Sequence, residues 1–197
     1  ADQRRRSCQT VMALIIERLA GLIAPVLCHM AEDIWQNLPY RVQETSVFQR
    51  GWPTAPTEWH NDTLRAPVQQ LRDLRAAVNK VMEDCRGRQE LGASLEAAVR
   101  IEARSPELQA ALCWLSDNAD PEVDGLRDWL LVSQLQLGGE PWAEVLASQD
   151  DELASIEVSR ARGTKCERCW HYEGDVGQHP EHPHICGRCV GLSLIHI

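Results

Sequence analysis

Between Ser7 and Ile23 the apolar residues Val11, Leu14, Ile15, Leu19, Leu22 and Ile23 recur at steps of three and four, the spacing that lines one face of an α-helix. Pro25 should break that helix, and a second helical pattern through Val26, Leu27, Met30, Ile34 and Leu38 closes at Pro39. Tyr40 to Trp59, with Trp52-Pro53 and Ala55-Pro56, reads as an extended connection. A third helix, with Asp62 as its N-cap, carries Leu64, Val68, Leu71, Leu74, Val78 and Val81 in one stripe as far as Cys85, with Gly87 just beyond. Three such helices predict a bundle over residues 1–90, with Leu14, Leu22, Leu71 and Val78 in its core.

After Gly92 the period changes. Val99, Ile101 and Ala103 alternate within a strand candidate at Ala97 to Ala103, Pro106 to Leu115 returns to helix, and Leu130 to Leu137 reads as a second strand closed by Gly138-Gly139. Asp150 to Ile156 is acidic, and Glu157 to Thr164 is expected to run as an extended arm. Residues 91–164 therefore form a small α+β unit. The fold class is mainly α: a helical bundle, then this unit, then a zinc knuckle at 165–190. Gly191 to Ile197 follow no pattern.

Charge sharpens this division. The net charge of -9 conceals 12 Lys+Arg against 11 Asp+Glu in residues 1–90, 3 against 14 in 91–158, and 5 against 4 in 159–197. The acidity sits in the middle, so either end can still present a positive field to a polyanion. No apolar run reaches the roughly 20 residues needed to span a bilayer. No signal peptide is visible, so a soluble, cytosolic protein is expected. The opening Ala1-Asp2-Gln3-Arg4-Arg5-Arg6 enters helical periodicity almost at once, as a chain cut within a structure would.

The candidate chemistry lies in the cysteines. Cys8, Cys28, Cys85 and Cys113 are scattered along helical stretches, the usual setting of reduced, buried thiols, and no disulfide framework is expected. Cys166, Cys169, Cys186 and Cys189 instead form two Cys-x-x-Cys pairs sixteen residues apart. Each turn presents two sulfurs to one side of an ion, and two turns complete the tetrahedral shell of one Zn²⁺. Iron in the same cage and four free thiols are the alternatives. A thioredoxin-like redox pair is disfavoured, since two pairs are present and neither follows a suitable strand. Four thiolates leave no open position, so the metal would be structural. His171, His179, His182 and His184 crowd the loop but are harder ligands and stay outside the inner shell. The fixed loop displays Arg168, Trp170, Tyr172 and Arg188, a set suited to stacking unpaired bases and pairing phosphates. Packing against the preceding domain is the competing role for Trp170 and Tyr172.

These residues resemble a known family. KCERCWHY, DVG and ICGRCV are similar to the C-terminal zinc module of bacterial isoleucyl-tRNA synthetases. RRSCQTVMALIIERLAGLIAPVLCHMAEDIWQNLP, SVFQRGW, LRAAVNKVMEDCR and LGASLEAAV resemble that family's anticodon-binding domain and the segments after it. The tail from Gly191 departs from the pattern. The resemblance implies a C-terminal fragment of a large, cytosolic, monomeric ligase that activates isoleucine with ATP and attaches it to its tRNA. The motifs that grip ATP are missing and only two lysines occur, Lys80 and Lys165, so the fragment alone should be inactive. The partners implied are the anticodon stem-loop of the isoleucine tRNA and the remaining catalytic and editing domains. Arg168 and Trp170 are expected to touch bases, with Arg188 beside them. Arg4, Arg5, Arg6, Arg72, Arg75 and Lys80 are phosphate candidates by residue type, against the plainer role of a solvated helix face. Two other readings compete: a stand-alone zinc-knuckle module for RNA or protein, and the zinc finger of a formamidopyrimidine-type DNA glycosylase. The latter needs an N-terminal Pro-Glu pair, where this chain has Ala-Asp.

Overall fold

The computed structural model describes residues 3–118 and 125–194, without the side chains of Arg4, Ser193 and Leu194. It divides into two compact units, Ala1–Asn61 and Asp62–Ile197. No helix among the described residues is long and apolar enough to cross a membrane.

In the first unit, helix α1 (Gln3–Ile23) and helix α2 (Cys28–Gln36) are joined by a tight turn at Pro25, where Val26 and Leu27 both donate to the Ile23 carbonyl. Their core is small and rests on Ala20, Ala24, Ala31, Trp35 and Val47. The connection to Trp59 is not simply extended, because two 3₁₀ turns, Val47–Gln49 and Thr57–Trp59, interrupt it. It is held by specific bonds. The Trp35 indole donates to the Glu44 carbonyl at 3.0 Å, while the Glu32 carboxylate accepts from Ser46 Oγ at 2.9 Å and the Val47 amide at 3.0 Å.

The sequence-based assignment of Leu14 and Leu22 to the core is corrected here. Leu14 is half-buried and Leu22 is 46% exposed, on a stripe where Val11, Ile15 and Leu19 also face outward. The apolar period located the helix correctly, but the residues that bury are the alanines one position over, where the two helices approach closely.

Helix α3 (Asp62–Gly87) belongs to the second unit rather than to a bundle with α1 and α2. Its buried residues Leu71, Leu74, Val78, Val81, Met82 and Cys85 form one stripe with helical period. This stripe packs with helix α4 (Pro106–Asn118), helix α5 (Gly125–Leu130) and one face of a four-stranded sheet. The second strand candidate is shorter than its apolar run implied, because Leu130 ends α5 and Leu131 takes a positive φ of 57° before the strand starts at Gln134. The sheet order is β2 (Gln134–Leu137), β1 (Ala97–Ala103), β4 (Ala154–Arg160), β3 (Ala147–Asp150). β1 is parallel to β2 and antiparallel to β4. Alternation in β4 puts Ala154, Ile156 and Val158 into the core. In β1, Arg100 is buried as well, on the opposite face, where it is paired with Glu157 and Glu102.

Beyond β4 the chain turns at Gly163, whose φ of +102° and 2.5 Å clearance from the Glu173 carbonyl oxygen to a Cβ admit no side chain. It then enters the hairpin of β5 (Thr164–Lys165) and β6 (Tyr172–Glu173). Helix α6 (Gly187–Leu194) closes the described chain, so the start of the unexplained tail continues a helix, while Ile195 to Ile197 lie outside the described residues. The thiols of Cys8, Cys28 and Cys113 are exposed rather than buried as expected; Cys85 alone of those four is in the core.

Candidate metal centre and nucleic-acid interface

The β5–β6 hairpin carries the first Cys-x-x-Cys turn at its tip, and α6 carries the second. Pairing of the Cys166 amide with the His171 carbonyl at 2.8 Å, and of the Trp170 amide with the Cys166 carbonyl at 2.9 Å, curls the first turn. In the second turn the Gly187 amide donates to Asp175 Oδ2 at 2.7 Å. That contact fastens the start of α6 to the loop between the pairs. A Cβ at Gly187 would lie 2.7 Å from the same oxygen and 3.1 Å from His179 Nε2, so the knuckle closes there only around a glycine.

All four sulfurs converge: the ligand atoms of Cys166, Cys169, Cys186 and Cys189 lie within 4.8 Å of one another, and Cys169 Sγ is 3.7 Å from Cys186 Sγ. An ion about 2.3 Å from each of four tetrahedral sulfurs would set them about 3.8 Å apart, so the cage fits Zn²⁺. Cys166, Cys186 and Cys189 are buried and Cys169 half-buried. Burial alone would raise the Cys166 thiol, but N–H groups of Cys169, Cys186 and Arg168 turned toward its sulfur outweigh it and bring it down to about 6. Burial pushes Cys169 up to about 11 and Cys189 higher still. Such a set retains protons until a cation shares its charge. None of the four loop histidines joins the cluster.

The module is moored to the sheet. Ser133 Oγ accepts from the Tyr172 amide at 2.8 Å, and Arg127 Nη1 reaches Glu173 Oε1 at 3.0 Å. Asp175, Ser133, Arg127 and Glu173 were not singled out as site residues from sequence. Only Asp175 left a signal, inside the DVG segment between the cysteine pairs.

The proposed RNA-contacting residues fare differently. Trp170 is 60% exposed, sits at a positive φ of 65°, and has Lys165 Nζ 5.7 Å from its ring centre. The knuckle thus projects an aromatic face beside a cation. Arg168 Nη1 donates to the Cys189 carbonyl at 3.0 Å, so this side chain links the two knuckles. Arg188 faces Asp128 at 3.5 Å. On α3, Arg75 lies over the Trp129 ring at 5.6 Å, while Arg72 and Lys80 are exposed. The knuckle brings Arg168, Trp170 and Arg188 together; Arg72, Arg75 and Lys80 are placed along one helix. Arg5 and Arg6 are exposed near the start of α1.

Comparison with known proteins agrees with this geometry. Residues 163–190 match a family described as "Zinc finger found in FPG and IleRS". The chain is 89% identical over 191 residues to the isoleucine–tRNA ligase of Parasynechococcus marenigrum (strain WH8102), covering 97% of this chain and 20% of the relative. It is 72% identical over 192 residues to that of Prochlorococcus marinus (strain MIT 9313), with 98% and 20% covered, and 71% identical over 191 residues to that of Synechococcus sp. (strain CC9311), with 97% and 20% covered. The chain thus spans about a fifth of the length of these curated relatives. Residues 1–101 match the family described as "Anticodon-binding domain of tRNA ligase", and to that family the chain belongs.

Proposed function

We propose that this chain is the C-terminal part of an isoleucine–tRNA ligase, the part that grips the anticodon stem-loop of the isoleucine tRNA. The observation that carries this reading is the occurrence in one chain, in order, of an anticodon-binding match over 1–101 and a four-cysteine cage within 163–190. The anticodon-binding match favours a synthetase over a glycosylase finger or a free-standing knuckle. Residues 1–90 form the helical anticodon-binding portion, 91–164 a junction, and 165–190 the zinc module. One Zn²⁺ on Cys166, Cys169, Cys186 and Cys189 supplies a fixed cross-link between the two turns and no catalytic chemistry, since four thiolates fill its shell. Activation of isoleucine with ATP belongs to the rest of the enzyme, a cytoplasmic monomer.

In this reading Trp170 stacks on an anticodon base, and the knuckles exist to hold its ring outward. Arg168 and Arg188 flank it, with Arg72, Arg75 and Lys80 toward the phosphates of the stem. The test is binding of the zinc-loaded chain, at fixed salt, to an isoleucine anticodon stem-loop and to one with a changed anticodon. Wild type should prefer the isoleucine sequence, and Trp170→Ala should lose about 1–3 kcal/mol with zinc retained. Undiminished affinity in the variant would return Trp170 to a packing role.

A further inference from the structure

The sheet has one face on the core and one open face, and the open face carries a hollow that the knuckle does not use. Its origin is the register. Gln134, Ala98 and Ser159 stand side by side across β2, β1 and β4, and the small side chains of Ala98 and Ser159 leave the floor low. In the next row, Gln136, Arg100 and Glu157 fix a wall. There the Trp142 indole N–H donates to Gln136 Oε1 at 2.8 Å, and the Trp142 amide donates to Glu157 Oε2 at 3.0 Å. The resulting cavity holds about 490 Å³ and is bordered by Arg160, Arg162 and Glu144. That volume is within the roughly 300–1,000 Å³ of small-ligand pockets.

We propose that this hollow receives one unpaired nucleotide of the bound RNA, its base against Trp142 and its phosphate on Arg160 and Arg162. The inference rests on the RNA-binding function proposed above and extends it from the knuckle to the sheet. Trp142 suits a base because its ring is already oriented by two hydrogen bonds, so little order is lost on stacking. Gln134 clasps the backbone of Arg162 from both sides, its Nε2 donating to the carbonyl at 2.7 Å and its Oε1 accepting from the amide at 3.0 Å. Arg162 is thereby fixed at the rim. Arg160 and Arg162 are exposed and make no ion pair among the described residues, which leaves both guanidinium groups for an anion. Glu144 would repel a phosphate placed beside it but accepts a hydrogen bond from an exocyclic amine. Adenine, cytosine and guanine carry such an amine and uracil does not. The hollow is close in sequence to the knuckle, with Arg162 four residues before Cys166, so a single strand leaving Trp170 has cationic ground along the way.

The experiment uses the zinc-loaded chain, fluorescence anisotropy with the labelled isoleucine anticodon stem-loop, and single-stranded oligo(A), oligo(C) and oligo(U), over a salt series. The double variant Arg160→Gln/Arg162→Gln, both exposed, should weaken stem-loop binding about tenfold. It should also lower the slope of log affinity against log salt by about 0.7–1.4, the change expected when one or two phosphates are no longer neutralised. Ala98→Leu, which fills the floor, should weaken binding similarly while leaving the salt slope in place, and oligo(U) should bind more weakly than oligo(A) or oligo(C). Unchanged affinity and slope in both variants, with Trp170→Ala still weakening binding, would overturn the hollow and leave the knuckle reading intact. If free AMP or CMP displaced the stem-loop at concentrations where they bind the hollow alone, the site would belong to a small nucleotide and the RNA assignment would fall. A wild-type chain that bound no RNA at low salt would defeat the anticodon reading itself, and this inference with it.

Discussion

Replacing Arg100 by Met removes the buried cation on which the open face of the sheet is organised. Arg100 is 2% exposed; its Nη1 donates to Glu157 at 3.1 Å, and its Nη2 donates to Glu102 at 2.9 Å and to the Gly139 carbonyl at 2.7 Å. The two carboxylates contribute unequally. Glu102 is 56% exposed, so its pair is worth no more than about 1 kcal/mol. Glu157 is 13% exposed and would be left as a buried charge, a situation that costs about 3–5 kcal/mol. It keeps the Trp142 amide as a donor, which puts the expected loss near the lower limit, about 3 kcal/mol. The double variant Arg100→Met/Glu157→Leu should recover most of that loss, because a pair replaced by apolar groups strands no charge, and because Arg100 Nε, which has no hydrogen-bond partner among the described residues, goes with it. Urea unfolding of the zinc-loaded chain, followed by circular dichroism and fitted for two units, measures both. A single-variant loss under 1 kcal/mol, or a double variant less stable than the single, would refute the reasoning.

Three further outcomes follow from the two units. Cys166→Ser or Cys189→Ser should abolish stoichiometric zinc and raise amide exchange across residues 160–190, while the α3 and sheet amides stay protected because their core lies elsewhere; retention of one zinc per chain would refute the cage. Gly187→Ala should displace Asp175 from the start of α6 and weaken zinc about tenfold in competition with a chromophoric chelator, and an unchanged affinity would show that the Asp175 contact is dispensable. Glu32 has its carboxyl held below the usual 4.5 by hydrogen bonds from Gln36, Ser46 and Val47. Its contribution is therefore complete above that pH and is lost as pH falls through the lowered value, so Glu32→Gln should destabilise the first unit at neutral pH and the difference should shrink in acid.

Much of this site could be read from residues alone because its chemistry is local. A Cys-x-x-Cys turn places two sulfurs together whatever the rest of the chain does, and two such turns within a short loop have one economical use. The helices were equally legible, since a three-and-four spacing survives any packing arrangement. Which helical face would be buried was not, because that depends on the neighbour. Val11, Ile15 and Leu22 have the same period as Leu71, Leu74 and Val78, yet only the latter meet a sheet. The supports of the knuckle were hidden for the same reason: Ser133 and Arg127 reach Tyr172 and Glu173 across 39 and 46 residues of chain, and such contacts leave no periodic trace.

By itself, then, the sequence determined the metal ligands, the positions of the long helices and the family resemblance, because each is written in short-range spacing. The tertiary structure decided that α3 joins the sheet, that Arg168 braces the second knuckle while Trp170 faces outward, and that Ala98 and Ser159 leave a hollow under Trp142. Those outcomes depend on strand register and on which apolar stripe finds a partner, and both are settled only when distant segments compete to bury the same surface.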